Sequence, residues 1–138
     1  MTEPLVLSEA SEVEAGELGQ RLSRWNQEQV GQERVNDIFL AMRDGEGRMR
    51  GGMVAFTSWN VLVIDTVWLD PDLRGQGHGS ALLREMERRA RELGCDRAML
   101  ETFSWQAEAF YERAGYVAFG RMEGHPAGHA RTHMAKVL

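Results

Sequence analysis

Hydrophobic and polar positions divide the chain into one early helix and a strand-rich remainder. Ser11 and Glu14 have the spacing of a capping box, so a helix is expected to begin beside them. The apolar stripe of that helix comprises Leu18, Leu22 and Trp25. Ahead of it, the run Leu5-Val6-Leu7 predicts a short first strand.

Three apolar stretches then predict an antiparallel meander, at residues 38–42, 53–57 and 61–69. Asp44-Gly45 separates the first two stretches and favours a hairpin, because this dipeptide tolerates positive φ. The third stretch is expected to alternate, with one face formed by Val61, Val63, Asp65, Val67 and Leu69. Both of its faces are largely apolar, so the strand is expected to be central.

The second half of the chain begins with a glycine run that opens an amphipathic helix ending at Gly94. Arg97 to Phe103 is the next predicted strand, parallel to the previous one because a helix crosses between them. A short helix over 106–113 follows, ending at Gly115. Two final strands, 116–119 and 132–138, are expected to pair as a hairpin.

Length and composition restrict the kinds of protein that fit. A chain of 138 residues suits a single domain over 1–138, and its single cysteine, Cys95, excludes an internal disulfide and is expected to be a buried structural thiol. The start of the chain lacks signal-peptide features, and no apolar stretch approaches the ~20 residues that span a bilayer, so a cytoplasmic protein is expected. A net charge of -5 disfavours nucleic acid and mildly favours a cationic substrate.

The most informative segment is the run from Arg74 to Ser80, Arg-Gly-Gln-Gly-His-Gly-Ser. Glycines let a backbone approach an anion closely, and the free amides of the following helix add the positive end of its dipole. Three alternating glycines after an arginine exceed what a simple turn requires. The run therefore predicts a diphosphate-binding loop.

Two other phosphate-binding motifs fit less well. A P-loop ends in Gly-Lys-Ser/Thr, whereas this chain has Gly79-Ser80-Ala81. A Rossmann fingerprint counted from Gly75 would need glycine where Ser80 stands, and it would open parallel repeats instead of following a meander.

Arg74, Gly77 and Gly79 match the Arg/Gln-x-x-Gly-x-Gly/Ala motif of the Gcn5-related N-acetyltransferases, which the chain resembles. Residues 68–74 resemble that family's approach to the loop, and residues 107–116 resemble its fourth helix and exit. The order of elements agrees over nearly the whole chain. The resemblance implies the acyl-CoA N-acyltransferase fold, a mixed α/β fold with a central sheet of about six to seven strands flanked by helices.

The resemblance also implies acetyl-coenzyme A as acyl donor, with its pyrophosphate on the loop and its pantetheine arm in a cleft where the parallel strands splay. Ser104 stands where the family commonly has asparagine, and a hydroxyl replaces only part of the amide's bonding. The implied cofactor-binding residues are Val67, Trp68, Leu69, Arg74, Gly75, Gln76, Gly77, His78, Gly79, Ser80, Ser104 and Phe110.

Tyr111 matches the position of the family's general acid, since a phenol with a pKa near ~10 can protonate a thiolate with a pKa near ~8.5. The alternative is a tyrosine that only packs in the core. The general base is left open between Asp65, Glu101 and an ordered water.

Trp25 and His129 are the candidate substrate-binding residues. His129 is also one of three histidines spaced by four residues, but Pro126 and Gly128 interrupt any helix that would align them, so no metal site is expected.

The sequence therefore predicts acetyl transfer to a primary amine of a small molecule or peptide by direct attack. One alternative is a noncatalytic acyl-coenzyme A sensor, which would not need Tyr111, and another is a nucleotide-binding domain. The resemblance also implies a homodimer, because many members of the family pair through their sheet edges or final strands.

Overall fold

The computed structural model describes residues 3–138, which fall into two compact units, one ending at Glu33 and the other running from Arg34 to Leu138. The first unit contains one helix. The second contains a six-stranded mixed sheet with two α-helices. All predicted site residues except Trp25 belong to the second unit.

Helix α1 spans Glu12–Val30 and begins as predicted. The hydroxyl of Ser11 accepts a hydrogen bond from the Glu14 amide at 3.1 Å, and the Glu14 carboxylate accepts one from the Ser11 amide at 3.0 Å. This capping box satisfies two backbone donors that a helix start leaves unpaired. The predicted stripe on α1 remains exposed at Leu18, Leu22 and Trp25.

The predicted first strand at Leu5-Val6-Leu7 is wrong, because these residues have no regular secondary structure. A strand needs a neighbour to satisfy its backbone amide and carbonyl groups. Among residues 3–33 the one regular element is the helix α1, which offers no strand edge.

The second unit follows the predicted order of elements. In chain order these are β1 (Asp37–Arg43), β2 (Met49–Ser58), β3 (Val61–Leu69), α2 (His78–Glu92), β4 (Arg97–Phe103), α3 (Glu108–Arg113), β5 (Val117–Glu123) and β6 (Ala130–Val137). The strands lie in the order β1-β2-β3-β4-β6-β5. Only β3 and β4 pair in parallel, so the meander, the crossover and the final hairpin are confirmed.

The hairpin between β1 and β2 turns at Asp44, as the sequence predicts. The Asp44 carboxylate accepts hydrogen bonds from the amides of Glu46 and Arg48, at 2.9 and 3.0 Å. These bonds, that from the Arg48 backbone above all, lower the pKa of the Asp44 carboxyl. The positive φ of this turn is at Gly47, with φ 80°, and not at Gly45.

A β-bulge interrupts the pairing of β3 with β2. Val54 pairs with Thr66 and Ala55 pairs with Ile64, which leaves Asp65 as an extra residue. A bulge of this kind reverses the alternation of side chains between the two faces of a strand.

The bulge makes the predicted alternation wrong beyond Asp65. The residues of β3 that pack in or against the core are Leu62, Ile64, Val67 and Leu69. The core-facing positions are therefore even-numbered before the bulge and odd-numbered after it. Asp65 therefore does not share a face with Val67 in the way a regular strand would require.

Helix α2 covers the first three strands and forms the core with them. Its buried apolar residues are Leu82, Leu83, Met86 and Ala90, which repeat at helical spacing. Gly94, with φ 89°, follows the helix in the left-handed conformation that glycine adopts without strain. Gly51 and Gly52 allow close strand packing, because a Cβ at Gly52 would lie 2.4 Å from the Leu40 carbonyl oxygen.

Candidate active site

The parallel strands β3 and β4 separate partway along their length. Their pairing ends where Ile64 lies opposite Leu100. Beyond that point β3 stays paired with β2 as far as Leu69, and β4 stays paired with β6 as far as Phe103. Backbone groups on the facing edges of the two strands are therefore left without strand partners, and an extended ligand with amides of its own can bond to such edges.

A run of free backbone amides lies between this gap and α2. Among residues 3–138, none of the amides from Gly75 to Ser80 donates a hydrogen bond to the protein. The amide of Ala81 is the first to be used, and it donates to the Gly77 carbonyl at 3.1 Å. Gly75 and Gly77 have φ values of 75° and 88°, which orient successive amides in a way that other residues adopt only with strain. The segment can therefore bind an anion through its backbone.

The approach to this loop is braced by one arginine. Arg50 on β2 donates to the carboxylates of Asp70 and Asp72 at 2.7 and 2.6 Å. These hydrogen bonds lower the pKa of both carboxyl groups and raise the pKa of the Arg50 guanidinium. The side-chain amide of Gln76 adds a bond to the Asp72 carbonyl at 2.7 Å, so the start of the loop is fixed to β2.

Arg74 lies between the end of β3 and the loop. Its Nε donates to the Leu69 carbonyl at 3.0 Å, and its guanidinium lies over the Trp68 ring, 4.8 Å from the centroid. Trp68 is itself held by a hydrogen bond from Nε1 to Asp70 at 3.1 Å. The two terminal nitrogens of Arg74 bond to no group within residues 3–138 and can therefore contact a ligand.

Gly79 brings the loop into contact with α3. A Cβ at this position would lie 3.4 Å from the Phe110 ring and 3.7 Å from a Leu69 methyl group. The loop, the end of β3 and α3 therefore meet at one point. Phe110 also stacks edge-on against Tyr111, with centroids 5.0 Å apart.

Tyr111 is buried among aromatic rings, with 7% of its surface exposed. Its ring makes edge contacts with Phe110 and Tyr116, and burial raises the pKa of its phenol. Among the described residues its hydroxyl makes no hydrogen bond to the protein, and it is not one of the fully buried polar atoms, so it is accessible from the surface. This neutral phenol is thus free to donate to a ligand.

Beneath Tyr111 lies a buried polar cluster. Glu87 of α2 is only 4% exposed, and its carboxylate accepts hydrogen bonds from the Tyr116 hydroxyl at 2.8 Å and from Lys136 at 3.0 and 3.2 Å. Burial, followed by the charge of Glu87, raises the pKa of Tyr116. The cluster ties α2 to β6 and to the exit of α3.

Glu101 is the first residue of β4 beyond the segment that pairs with β3. Its carboxylate forms an ion pair with Arg131 and lies 3.2 Å from Nδ1 of His133. Both partners are on β6, where His133 lies directly opposite Glu101. The remaining ring nitrogen, Nε2, is left for another contact. Asp65, the other carboxylate predicted as a base, is exposed and accepts a bond from the Thr66 hydroxyl at 3.2 Å.

Ser104 joins the turn after β4 to the loop before β6. Its hydroxyl accepts from the Ala130 amide at 3.2 Å and lies 3.0 Å from Nδ1 of His129. Gln106 fixes the same turn, because its side-chain oxygen accepts from the Phe103 amide at 2.9 Å. The predicted α3 begins later than residue 106, at Glu108, since this turn occupies the preceding residues.

Aromatic rings cluster on that turn. Phe103 and Trp105 are stacked with centroids 4.8 Å apart, and His129 contacts Trp105 edge-on at 4.9 Å. Arg131 lies over the Phe103 ring at 5.5 Å. Trp105 remains 55% exposed, so the cluster presents an aromatic surface to solvent. Arg131, which lies over Phe103, also pairs with Glu101.

The structure brings most of the predicted residues to one region. The glycine loop, the end of β3, Phe110 and Tyr111 lie next to one another. Glu101 lies on β4 itself, and His129 directly precedes β6, the strand that pairs with β4. Sequence reasoning missed Arg50, Glu87, Arg131 and His133 as parts of this region. Their partners lie on other elements, and only a known strand register connects them.

Comparison with known proteins identifies what this architecture resembles. The profile of the family described as Acetyltransferase (GNAT) matches residues 7–116. A blasticidin-S acetyltransferase of Streptomyces morookaense is 37% identical over 101 residues, covering 72% of this chain and 74% of that protein. An acetyltransferase of Agrobacterium fabrum is 28% identical over 132 residues, covering 95% and 96% of the two chains. A crystal structure of an acetyltransferase from Bacillus cereus superimposes with a TM-score of 0.92 at 30% identity, covering 97% of this chain and 98% of that one.

Within residues 3–138, no group of three or more potential metal-ligating histidine, cysteine or acidic side chains occurs. No helix in that range combines the length and apolar character needed to cross a bilayer.

Proposed function

The chain belongs to the GNAT family of acetyltransferases, which take their acetyl group from acetyl-coenzyme A, and we propose that it acetylates a primary amine of a small molecule. The observation that carries the proposal is the gap between β3 and β4, which leads to six consecutive free amides. The pyrophosphate of the coenzyme lies on those amides and its pantetheine arm follows the free edge of β3. Loop residues 74–80, together with Val67, Trp68, Leu69, Ser104 and Phe110, form the coenzyme site.

The reaction proceeds by direct attack in a ternary complex. The amine nitrogen forms a bond to the thioester carbonyl carbon, and the carbon–sulfur bond then breaks. Tyr111 gives its proton to the departing thiolate, which its free hydroxyl and raised pKa support, because the phenol stays protonated at neutral pH. Before the attack, a base on the acceptor side takes one proton from the substrate ammonium, because only the neutral amine has a lone pair. The second proton, which the nitrogen loses as it becomes an amide nitrogen, balances the one that Tyr111 gives to the thiolate.

Glu101 and His133 are the proposed base. The carboxylate orients Nδ1 of the imidazole at 3.2 Å, and the opposite nitrogen, Nε2, receives the proton. Arg131 forms an ion pair with the same carboxylate and so helps to hold it in place. Asp65 is the second candidate, since it is exposed at the start of the gap and carries no cationic partner among the described residues.

The acceptor is proposed to be a small cationic molecule with a planar group, of the kind represented by blasticidin S. Trp105 and His129 supply an exposed aromatic surface over which a cationic or planar group can lie. The nearby carboxylate of Glu101 is already paired with Arg131, so the aromatic surface carries this part of the proposal. The relative with 37% identity is named for acetylating blasticidin S. Trp25 of α1 is the further candidate for contact with the acceptor.

Thiol release from acetyl-coenzyme A in the presence of an amine panel tests this proposal. The panel contains blasticidin S, polyamines, free amino acids and short peptides. We expect release that depends on one class of amine and yields a product with one added acetyl group by mass spectrometry. Tight binding of acetyl-coenzyme A without turnover on any amine would favour a sensor module. Binding of ATP or NAD in its place would indicate a nucleotide-binding domain.

The proposed catalytic unit is the whole chain, because the family match over 7–116 crosses the boundary between the two compact units at Glu33 and Arg34. A homodimer in the cytoplasm is part of the proposal. The edge strand β5 exposes Val117 and Phe119, which a second copy would cover. Light scattering at several protein concentrations gives the mass that decides this point.

A further inference from the structure

Tyr116 contacts the proposed general acid, Tyr111, through both its backbone and its ring. The Tyr116 amide donates to the Tyr111 carbonyl at 2.9 Å, and the two rings meet at 73° with centroids 5.9 Å apart. An edge contact of this kind favours one relative orientation of two rings. The direction in which the Tyr111 hydroxyl points therefore depends on where the Tyr116 ring lies.

The reacting end of Tyr111 has no support of its own. Within residues 3–138 its hydroxyl makes no hydrogen bond to the protein, so its position is set by the contacts of the ring. Those ring contacts are with Phe110 and Tyr116. A general acid must come within about 2.6–3.2 Å of the atom that it protonates, or reach it through one water, so a small displacement of this ring affects the reaction.

A buried ion pair holds Tyr116 in turn. Tyr116 is 2% exposed, and its hydroxyl donates to the Glu87 carboxylate at 2.8 Å. The same carboxylate accepts from Lys136 at 3.0 and 3.2 Å. The Lys136 ammonium also lies 5.6 Å from the centroid of the Tyr116 ring. Tyr116 is thus fixed at its hydroxyl by Glu87 and over its ring by Lys136.

The three members of this cluster come from separate parts of the fold. Glu87 lies on α2, Tyr116 follows α3, and Lys136 lies on β6. Helix α2 begins at the glycine loop, which holds the pyrophosphate under the proposed function, whereas Tyr111 lies on α3. The cluster therefore connects the element that places the coenzyme with the element that carries the acid.

Folding stability alone does not account for a charged pair at this position. Removing a carboxylate and an ammonium from water is costly, and well-packed apolar residues of similar volume are often at least as stabilising as a buried ion pair. The carboxylate differs from an apolar residue in one respect, because it gives the Tyr116 hydroxyl a directional, charge-assisted hydrogen bond.

We propose that the Glu87–Lys136 pair, acting through Tyr116, positions Tyr111 for proton transfer to the thiolate. This inference rests on the proposed function, since it concerns the placement of the acid in that reaction. Glu87, Tyr116 and Lys136 are positioning residues, which act through Tyr111 and exchange no proton with the substrate.

Tyr116→Phe tests the proposal, because it keeps the ring and removes the bond to Glu87. We expect the kcat of acetyl transfer to fall about 10-fold to 100-fold, while the KM for the amine and the Kd for coenzyme A stay within about twofold. In a Tyr111→Phe background the same change should lower the remaining kcat by no more than about twofold, because no acid is left to place. A loss caused only by poorer folding would be equal in both backgrounds.

Thr57→Val is the matched control, because it also removes a buried hydroxyl that makes hydrogen bonds. Thr57 is 1% exposed, and its hydroxyl accepts from the Asn36 amide at 2.9 Å and donates to the Arg34 carbonyl at 3.2 Å. It pairs with Leu62, at the end of β3 remote from the glycine loop. We expect this variant to unfold at a lower urea concentration and to keep the kcat of the parent.

A second variant keeps the proposal testable if Tyr116→Phe folds poorly. Glu87→Leu/Tyr116→Phe/Lys136→Met replaces the whole cluster with apolar side chains, so none of its polar groups is left buried without a partner. We expect this protein to unfold at a urea concentration close to that of the parent and yet to show the low kcat of Tyr116→Phe.

Parental kcat in either variant overturns the proposal, as does an equal loss with and without the Tyr111 hydroxyl. A change confined to the KM or to the Kd for coenzyme A overturns it as well. Failure of this inference is distinct from failure of the proposed function. A parent that acetylates an amine, with Tyr116→Phe equally active, keeps its function and loses only the positioning role, whereas a parent that acetylates no amine loses both.

Discussion

The ring of Phe110 lies 3.4 Å from the point where a side chain on Gly79 would begin. This distance is an ordinary van der Waals contact, so one methyl group fits between the loop and α3 and a larger group does not. We expect Gly79→Ala to bind coenzyme A within about threefold of the parent and Gly79→Val to bind at least about tenfold more weakly, because the valine must displace Phe110. Calorimetric titration with coenzyme A measures both affinities, and equal affinities in the two variants would contradict the packing argument.

Gly52→Ala should destabilise the fold by about 1–3 kcal/mol, since its Cβ would lie 2.4 Å from the Leu40 carbonyl oxygen on the neighbouring strand. Gly45→Ala is the control, because nothing lies within 4 Å of a Cβ there. Urea unfolding gives both free energies. A Gly52 variant as stable as the Gly45 variant would show that the two strands can move apart without lowering the free energy of unfolding.

Tyr111→Phe should lower turnover by about 10²-fold to 10⁴-fold and leave coenzyme binding nearly unchanged, because only the proton donor is lost. Burial raises the pKa of Tyr111, so the neutral acid persists as pH rises and its activity is lost only above the ordinary tyrosine range. The raised pKa of Tyr111 also makes folding stability depend on pH. Its contribution is fully present below the pKa of this tyrosine in the unfolded chain and is lost as pH rises through the higher pKa in the folded protein. Steady-state kinetics at saturating acetyl-coenzyme A measures the effect, and full turnover in the variant would leave Tyr111 a packing residue.

Glu101→Gln and His133→Gln should each lower turnover by about 10²-fold, while the double variant should be little worse than either single one, because the two groups act as one base. Glu123→Gln, on the exposed strand β5, serves as the control. Additive losses in the double variant would argue against a shared role and would direct attention to Asp65.

Lys136→Met should cost about 3–5 kcal/mol of folding free energy, because it leaves the Glu87 carboxylate buried without its cation. Changing Glu87→Leu as well should recover much of that loss. Arg88→Met is the comparison, since its ion pairs with Glu85 and Glu92 are exposed to solvent and contribute little to folding stability. Denaturant titration ranks the three proteins, and a Lys136 variant as stable as the Arg88 variant would contradict the buried pair.

Much of the fold could be predicted from sequence because its signals are local. The capping box at Ser11 and the helical spacing of α2 each depend on neighbours within a few residues, and both are present in the structure. The strand at Leu5-Val6-Leu7 was wrong because pairing is a property of two segments, and one segment alone does not reveal the absence of a partner. The same reason hides the bulge at Asp65, which depends on how β3 is paired with β2.

In the candidate site, too, only the features that depend on neighbouring residues could be predicted from the sequence. The glycine loop is a contiguous motif, and its free amides could be anticipated from residues 74–80. The contacts around Glu101 could not, because Arg131 and His133 are about thirty positions away and become neighbours only through the register of β4 with β6. The bracing of the loop by Arg50 depends in the same way on the pairing of β2 with β3.

Residues 75–80 present six consecutive main-chain donors that no other described residue uses. Every amino acid except proline carries such a donor, so under the proposed function a neutral replacement of His78 or Ser80 leaves the main-chain donors to the pyrophosphate in place. Gly75 and Gly77 are different, because their φ values of 75° and 88° are ones that a residue with a side chain adopts only with strain. Under the proposed function, coenzyme binding therefore tolerates new side chains at His78 and Ser80 more readily than any side chain at these two glycines.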